Sequence, residues 1–180
     1  MSRRTPSRSP TLPAVAIVLL LAVAGAALVQ RVTAGSTASG AAISGRVTYV
    51  IDGDTVVVRT EPGGESVHVR LIGIDTPEIS HDGSPSDCYG RRASDITREL
   101  ALDRSVELQP GRERHDRYGR LLAYVRIVGG PDDLERVLLT RGAARTLTIP
   151  PNDDRAAAYA ALEDAARRAG RGLWGACGRG

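Results

Sequence analysis

No lysine occurs in the chain, so all 24 basic side chains are arginines; this reads as a compositional bias rather than a functional choice. Phenylalanine is also absent, and the single tryptophan is Trp174. Only two cysteines are present, and without a nearby histidine pair they do not make a zinc set. His68, His81 and His115 show no pairing that suggests a ligand set and read as surface residues. Net positive charge is missing too where it would matter. Four of the 24 arginines (Arg3, Arg4, Arg8, Arg31) lie in the leader and all 21 acids lie beyond it, which leaves 20 arginines against 21 acids, a formal −1, from Gly35 onward. Global charge therefore does not predict nucleic-acid binding, and any attraction to phosphate has to come from locally placed arginines. At 180 residues the chain holds one domain with a proper core and is too short for two ordinary ones. No internal repeat is visible.

What is present begins with a basic start, an unbroken apolar run over residues 14–29, and Val32-Thr33-Ala34, a small-x-small signal-peptidase form. Residues 1–34 are expected to be an export signal. The run is close to the lower limit for a spanning helix, roughly 17 residues, so an uncleaved membrane anchor is the alternative. Residues 35–40, rich in Gly, Ser, Thr and Ala, form a linker, and residues 41–180 the folded domain. The expected location is secreted or extracytoplasmic, with membrane attachment only if the leader stays on. In an oxidising compartment an even pair of cysteines reads as a disulfide, here Cys88 with Cys177.

Residues 43–50 and 55–59 are β-rich runs around the turn Ile51-Asp52-Gly53-Asp54, and residues 66–74 alternate as a third strand. Ala93, Ile96 and Leu100 fall at helical spacing within residues 91–102. Residues 105–108 give a fourth strand, 110–119 a charged loop and 121–128 a fifth strand. A second helix starts after Pro131 with Asp132 and Asp133, buries Leu134, Val137 and Leu138, and ends at Gly142. Asn152-Asp153-Asp154 can cap a third helix over residues 155–169, with Tyr159, Leu162 and Ala166 inward, and Trp174 locks the tail. Five strands with a helix between the third and fourth give an α+β fold: a five-stranded OB-fold β-barrel with three helices.

Arg70-Leu71-Ile72-Gly73-Ile74-Asp75-Thr76-Pro77-Glu78 ends a strand with an arginine and two acids at a proline break. Asp52 and Asp54 sit at a tight turn beside it, and two facing hard oxygen donors, Asp54 and Asp75, suit Ca²⁺ or Mg²⁺. Asp116-Arg117-Tyr118-Gly119-Arg120 leads into the fifth strand, where Arg120 could meet Arg70. Guanidinium forks bind phosphate bidentately and stabilise charge that develops during its displacement. Taken singly, an Asp-Gly-Asp turn is commonly no more than a hairpin turn, and such arginines are common on surfaces.

In this order and context the pieces resemble the staphylococcal nuclease (thermonuclease) family: Val50-Ile51-Asp52-Gly53-Asp54-Thr55, Arg70 to Glu78, Tyr89-Gly90 leading into a helix, Asp116 to Arg120 with Leu122-Ala123-Tyr124, and Gly172-Leu173-Trp174. The resemblance implies Ca²⁺ held by the carboxylates of Asp54 and Asp75 and the carbonyl of Thr76, with Asp52 in the outer shell. It implies that Glu78 orients or deprotonates the attacking water and that Arg70 and Arg120 hold the scissile phosphate. The implied activity is cleavage of DNA and RNA with little sequence preference, leaving 3′-phosphate and 5′-hydroxyl ends, by a monomer. The loop over residues 79–87 is net acidic where the best-known form carries lysines, and residues 145–149 contain no aromatic where that form has stacking tyrosines. Tyr118 remains as a phosphate or sugar contact. Two other readings of the same residues are a non-catalytic exported OB-fold module that binds nucleic acid or protein, and an exported phosphodiesterase for small nucleotides.

Overall fold

Two β-rich runs separated by a Gly-containing turn pair first: β1 (Ile43–Val50) lies antiparallel to β2 (Thr55–Glu61), and β2 to β3 (Ser66–Leu71). The computed structural model describes residues 41–80, 83–130 and 132–178; the leader, the linker, His81, Asp82 and Pro131 lie outside them. After β3 come β4 (Ile74–Asp75), α1 (Gly90–Ala101), β5 (Ser105–His115), β6 (Leu121–Ile127), α2 (Leu134–Arg141), β7 (Arg145–Thr146), α3 (Ala156–Arg168) and the four-residue α4 (Leu173–Ala176). Strands β1-β2-β3-β6-β5 close into a barrel in which β3 and β6 run parallel, with Arg70 opposite Leu122. The OB-type barrel with three main helices is thus present. Its interior is aliphatic, with Val47, Val56, Val58, Val69, Leu108 and Val125 fully buried.

Two strands differ from the sequence expectation. The third does not continue to Ile74: it stops at Leu71, turns at Gly73 (φ 84°) and resumes as β4, which pairs with β7. A Cβ at Gly73 would lie 2.9 Å from the Tyr159 ring, so glycine meets both the left-handed backbone and the close approach. The charged segment 110–119 is a strand as far as His115, with its register against β6 shifted between Pro110 and His115. Proline is tolerated at such irregularities because no ladder donor is required of it there.

The helices cover the barrel with stripes close to those expected. In α2, Leu134, Leu138 and Leu139 are buried and Val137 only partly, and Gly142 ends the helix in the left-handed conformation (φ 68°). No side chain caps α3. Asn152 instead serves the barrel, accepting from Glu113 N at 3.1 Å and donating to Glu113 O at 2.9 Å, and Asp153 and Asp154 pair with Arg112.

Because β3 pairs with β6 only as far as Ala123, the next β6 donor on that edge, Val125 N–H, has no strand partner; Oε1 of Glu135, 0% exposed, accepts it at 2.9 Å. Burial pushes the Glu135 carboxyl up to about 8, with Asp133 adding to the shift and Arg155 opposing it. Folding therefore favours the protonated form. Its contribution is full below the unfolded value near 4.5 and is lost as pH rises toward 8, at up to about 1.4 kcal/mol per pH unit. Glu135→Gln keeps an acceptor and cannot ionise. Urea unfolding from pH 5 to 8 is expected to show the variant gaining on the parent as pH rises; a constant difference would contradict this assignment.

Candidate active site

The turn between β1 and β2 is shaped by glycine. A Cβ on Gly53 would meet Oγ1 of Thr76 at 2.7 Å, so only glycine lets the turn approach the end of β4 this closely. The turn is held from below by α1, whose buried Thr97 hydroxyl donates to Gly53 O at 2.6 Å. Asp52 Oδ1 accepts from Asp54 N at 3.0 Å, which sets the direction of Asp54.

Asp54 is 5% exposed and fully engaged. Its Oδ2 accepts from Thr76 N at 2.8 Å and Thr76 Oγ1 at 3.1 Å, and its Oδ1 from Thr55 Oγ1 at 3.1 Å. Arg70, opposite Thr55 in the β2–β3 ladder, brings Nε to 3.1 Å from Asp54 Oδ1 and donates from Nη2 to Asp75 Oδ1 at 2.9 Å. Its Nη1 donates to Leu71 O and Ile74 O, both at 2.8 Å. With five N–H groups on a guanidinium, four of them committed, one Nη2 hydrogen is left over.

Arg120 enters from the β6 side. Its Nε donates to Asp116 Oδ2 at 2.7 Å and its Nη1 lies 3.4 Å from Thr55 Oγ1, while Nη2 makes no hydrogen bond among the described residues. Burial works against the Asp116 charge, but the Arg120 side chain and the backbone N–H groups of Arg120 and Tyr118 hold its carboxyl below the usual range. The two arginines are thereby connected through Thr55 and Asp54 and line one pocket of about 490 Å³.

Glu78 is exposed, and its carboxylate has no hydrogen bond or ion pair among the described residues. Partial burial raises it, and Asp52 and Asp75 add to the shift. Its backbone is fixed by Asp87, which accepts from Glu78 N through Oδ2 at 3.2 Å and donates its own N–H to Glu78 O at 3.0 Å. Burial also lifts Asp54 to about 6, against the pull of Arg70 and with Asp52 and Asp75 pushing the same way. Four acids, Asp52, Asp54, Asp75 and Glu78, thus share one locality, and Arg70 is paired to two of them, Asp54 and Asp75.

Among the described residues no three acids or imidazoles form a cation cage by themselves. The expected set has only two carboxylates and a carbonyl. Although both Asp54 oxygens are hydrogen-bonded, four acids around the single guanidinium of Arg70 leave negative charge in excess on hard oxygens, and such a donor set fits a hard divalent ion that completes its shell with other oxygens.

Tyr118 stands 67% exposed at the pocket rim; its ring lies against the guanidiniums of Arg117 (4.8 Å) and Arg120 (5.4 Å), and its hydroxyl accepts from Arg117 at 2.7 Å. Among the residues lining the pocket it is the one aromatic, and the facing wall carries Leu147 and Ile149. They are 38% and 58% exposed, aliphatic side chains in the segment where stacking rings are missing. His68 and His115, exposed as expected, also share a second pocket with Tyr118 and Arg120, a neighbourhood that their spacing in sequence did not reveal. Cys88 and Cys177 are joined, 5.8 Å apart at Cα.

A closed five-stranded OB-type barrel with a carboxylate–guanidinium centre where β2, β3 and β6 meet defines the class of protein. The family of staphylococcal nuclease homologues matches residues 68–176, and the chain belongs to it. The thermonuclease of Staphylococcus intermedius is 41% identical over 107 residues, 59% of this chain and 61% of that protein. A probable endonuclease LCL3 of Paracoccidioides lutzii is 30% identical over 162 residues, 72% of this chain and 46% of its own. An uncharacterized endonuclease of Escherichia coli is 33% identical over 132 residues, 73% and 77% respectively. The chain spans about three fifths, 61%, of the length of the staphylococcal thermonucleases it matches.

Proposed function

We propose that this protein is an exported, Ca²⁺-dependent nuclease that hydrolyses phosphodiester bonds of DNA and RNA with little sequence preference, leaving 3′-phosphate and 5′-hydroxyl ends. The observation that carries the reading is the Asp54–Arg70–Asp75 bridge with Arg120 reaching the same carboxylate through Thr55. Family membership and relatives named thermonuclease and endonuclease support it.

Asp54, Asp75 and the Thr76 carbonyl would hold Ca²⁺, with Asp52 supporting from behind. Bound there, the ion would supply Lewis acidity toward a phosphate oxygen and toward the attacking water. The protein's own part is electrostatic and positional. A phosphodiester anion repels an incoming hydroxide, and the uncommitted Nη2 hydrogens of Arg70 and Arg120 are the groups that offset this repulsion as charge grows on the phosphorus oxygens. Glu78, uncommitted and with its backbone fixed by Asp87, takes the water proton or orients the lone pair. The pocket beside Arg70 and Arg120 receives a nucleotide next to the scissile bond, with Tyr118 against sugar or phosphate. Leu147 and Ile149 give bulk contact without stacking, in keeping with weak base preference.

The full chain, assayed on plasmid DNA and on RNA, is expected to cleave both, to stop in chelator and to recover when Ca²⁺ is restored. Glu78→Gln is expected to lower turnover roughly 10² to 10⁴-fold. Undiminished cleavage in chelator would remove the metal from the mechanism, and undiminished cleavage by the variant would remove Glu78.

A further inference from the structure

β7 lies against β4 with Arg145 opposite Asp75, so the chain segment that carries one candidate ligand borders a second surface. There a pocket of about 890 Å³ is lined by Arg145, Arg167, Arg168 and Trp174, with glycines and Leu173 and no acid among its lining residues. The guanidiniums of Arg145 and Arg167 lie 4.5 and 4.4 Å from the Trp174 ring centroid. Arg167 also pairs with Glu163 at 2.8 Å. Arg145 and Arg168 have no carboxylate partner among the described residues, and both are exposed.

Fixing the tail accounts for a tryptophan between arginines. It does not account for Arg168, which adds a third positive charge to the same concavity without touching the ring or an acid. A guanidinium lying against an indole keeps its in-plane N–H groups outward, and its restricted rotamers lessen the ordering cost of binding. The catalytic locality, by contrast, is crowded with four acids, in a domain whose formal charge does not attract a polyanion. A long polyanion brought there requires positive surface nearby.

We propose that Arg145, Arg167, Arg168 and Trp174 form a second nucleic-acid contact, gripping phosphates of the substrate strand beyond the scissile bond. The proposal rests on the nuclease reading above, and it makes the protein a cutter of polymers in preference to dinucleotides. The strand leaves the centre along β4 and β7 and meets Arg145 first, then Arg168.

The test compares a single-stranded oligonucleotide of about twenty residues with a dinucleotide, using the full chain with Arg145→Ala, Arg168→Glu and Arg168→Lys. Losing a charge-assisted phosphate contact is expected to raise the oligonucleotide KM roughly tenfold. The expected pattern leaves kcat and dinucleotide cleavage unchanged for both Arg145→Ala and Arg168→Glu and Tm unchanged for Arg168→Glu, with Arg168→Lys close to the parent; Arg145→Ala, which also removes a Trp174 contact, is expected to lower Tm without altering dinucleotide cleavage. The slope of log affinity against log salt is expected to fall by about 0.7 for each phosphate that no longer meets a guanidinium. An unchanged oligonucleotide KM and salt slope would overturn the proposal, and so would equal impairment of both substrates, which marks a structural defect. If the parent itself cleaves neither substrate, the nuclease reading fails, and the same salt slopes measured by fluorescence anisotropy of a labelled oligonucleotide still decide whether this surface binds.

Discussion

Arg120→Ala is expected to lower turnover roughly 10³-fold while leaving the fold nearly untouched. The two effects separate because of how Arg120 is held. Its ion pair with Asp116 is partly exposed, with side chains 28% and 16% accessible, and such pairs contribute about 1 kcal/mol or less. Its Nη2 has no hydrogen-bond partner among the described residues, so the charge is available for a phosphate whose oxygens gain charge in the transition state. An interaction that strengthens only at that moment appears in kcat and not in KM. Arg70→Ala should look different. It removes the partner of buried Asp54 together with two backbone carbonyl contacts, and breaking a buried pair costs about 3–5 kcal/mol. Activity and stability are therefore expected to fall together at Arg70 and to part company at Arg120. Single-turnover rates beside urea midpoints for the two variants measure this directly; an Arg120→Ala enzyme within tenfold of the parent would rule out its transition-state role. Arg120→Lys is expected to recover only part of the activity, since an ammonium presents a point charge in place of a planar fork.

The difference between these arginines was not visible in the sequence, where Arg70 lies within the third strand run and Arg120 at the mouth of the fifth. What the sequence did carry was local chemistry. β-rich composition marked β1 and β2, alternation marked β3, the Asp-Gly-Asp turn marked the hairpin, and Thr76-Pro77 marked the break after Asp75. These signals need no partner from elsewhere in the chain. The misses all depend on distant contacts. Gly73 ends β3 because the chain must swing to meet β7 and clear the Tyr159 ring, a constraint set 86 positions later. Residues 111–115 read as loop because they are charged, yet charge is compatible with a strand whose outer face meets water, and Asn152 supplies the hydrogen bonds that hold it. Nothing in the local sequence marked Glu135 and Glu163 as buried. They are buried because the edges of β6 and β7 need acceptors at Val125 and Thr146, and no periodicity rule encodes an edge that lacks its neighbour. The same limit applies to the centre itself: Asp54, Arg70 and Asp75 were each legible, whereas the fact that one guanidinium spans both carboxylates was not.

Replacing both cysteines, Cys88→Ser with Cys177→Ser, is expected to destabilise the protein by roughly 4–5 kcal/mol, the loop-closure value for partners separated by 89 positions. The bond joins two segments that have few other ties. On one side, Cys88 lies between Asp87, which fixes the Glu78 backbone, and Tyr89, a non-glycine residue at φ 72° immediately before α1. On the other, Cys177 closes α4, whose attachment is Leu173 in the core, the Trp174 contacts with Arg145 and Arg167, and the hydrogen bond from Leu173 N to Gly142 O at 2.9 Å. Most of the destabilisation should therefore be entropy returned to the unfolded chain, with a smaller part from loosening at both anchors. Because the Glu78 backbone also has its own pairing with Asp87, the folded double variant is expected to retain most of its activity at low temperature and to lose it on heating well before the parent does. Denaturant unfolding gives the stability difference, and residual activity after brief heating gives its consequence. A double-serine variant within 1 kcal/mol of the parent would mean that the unfolded chain is already restricted around these segments, and that the bond serves the loop behind Glu78 rather than the fold as a whole.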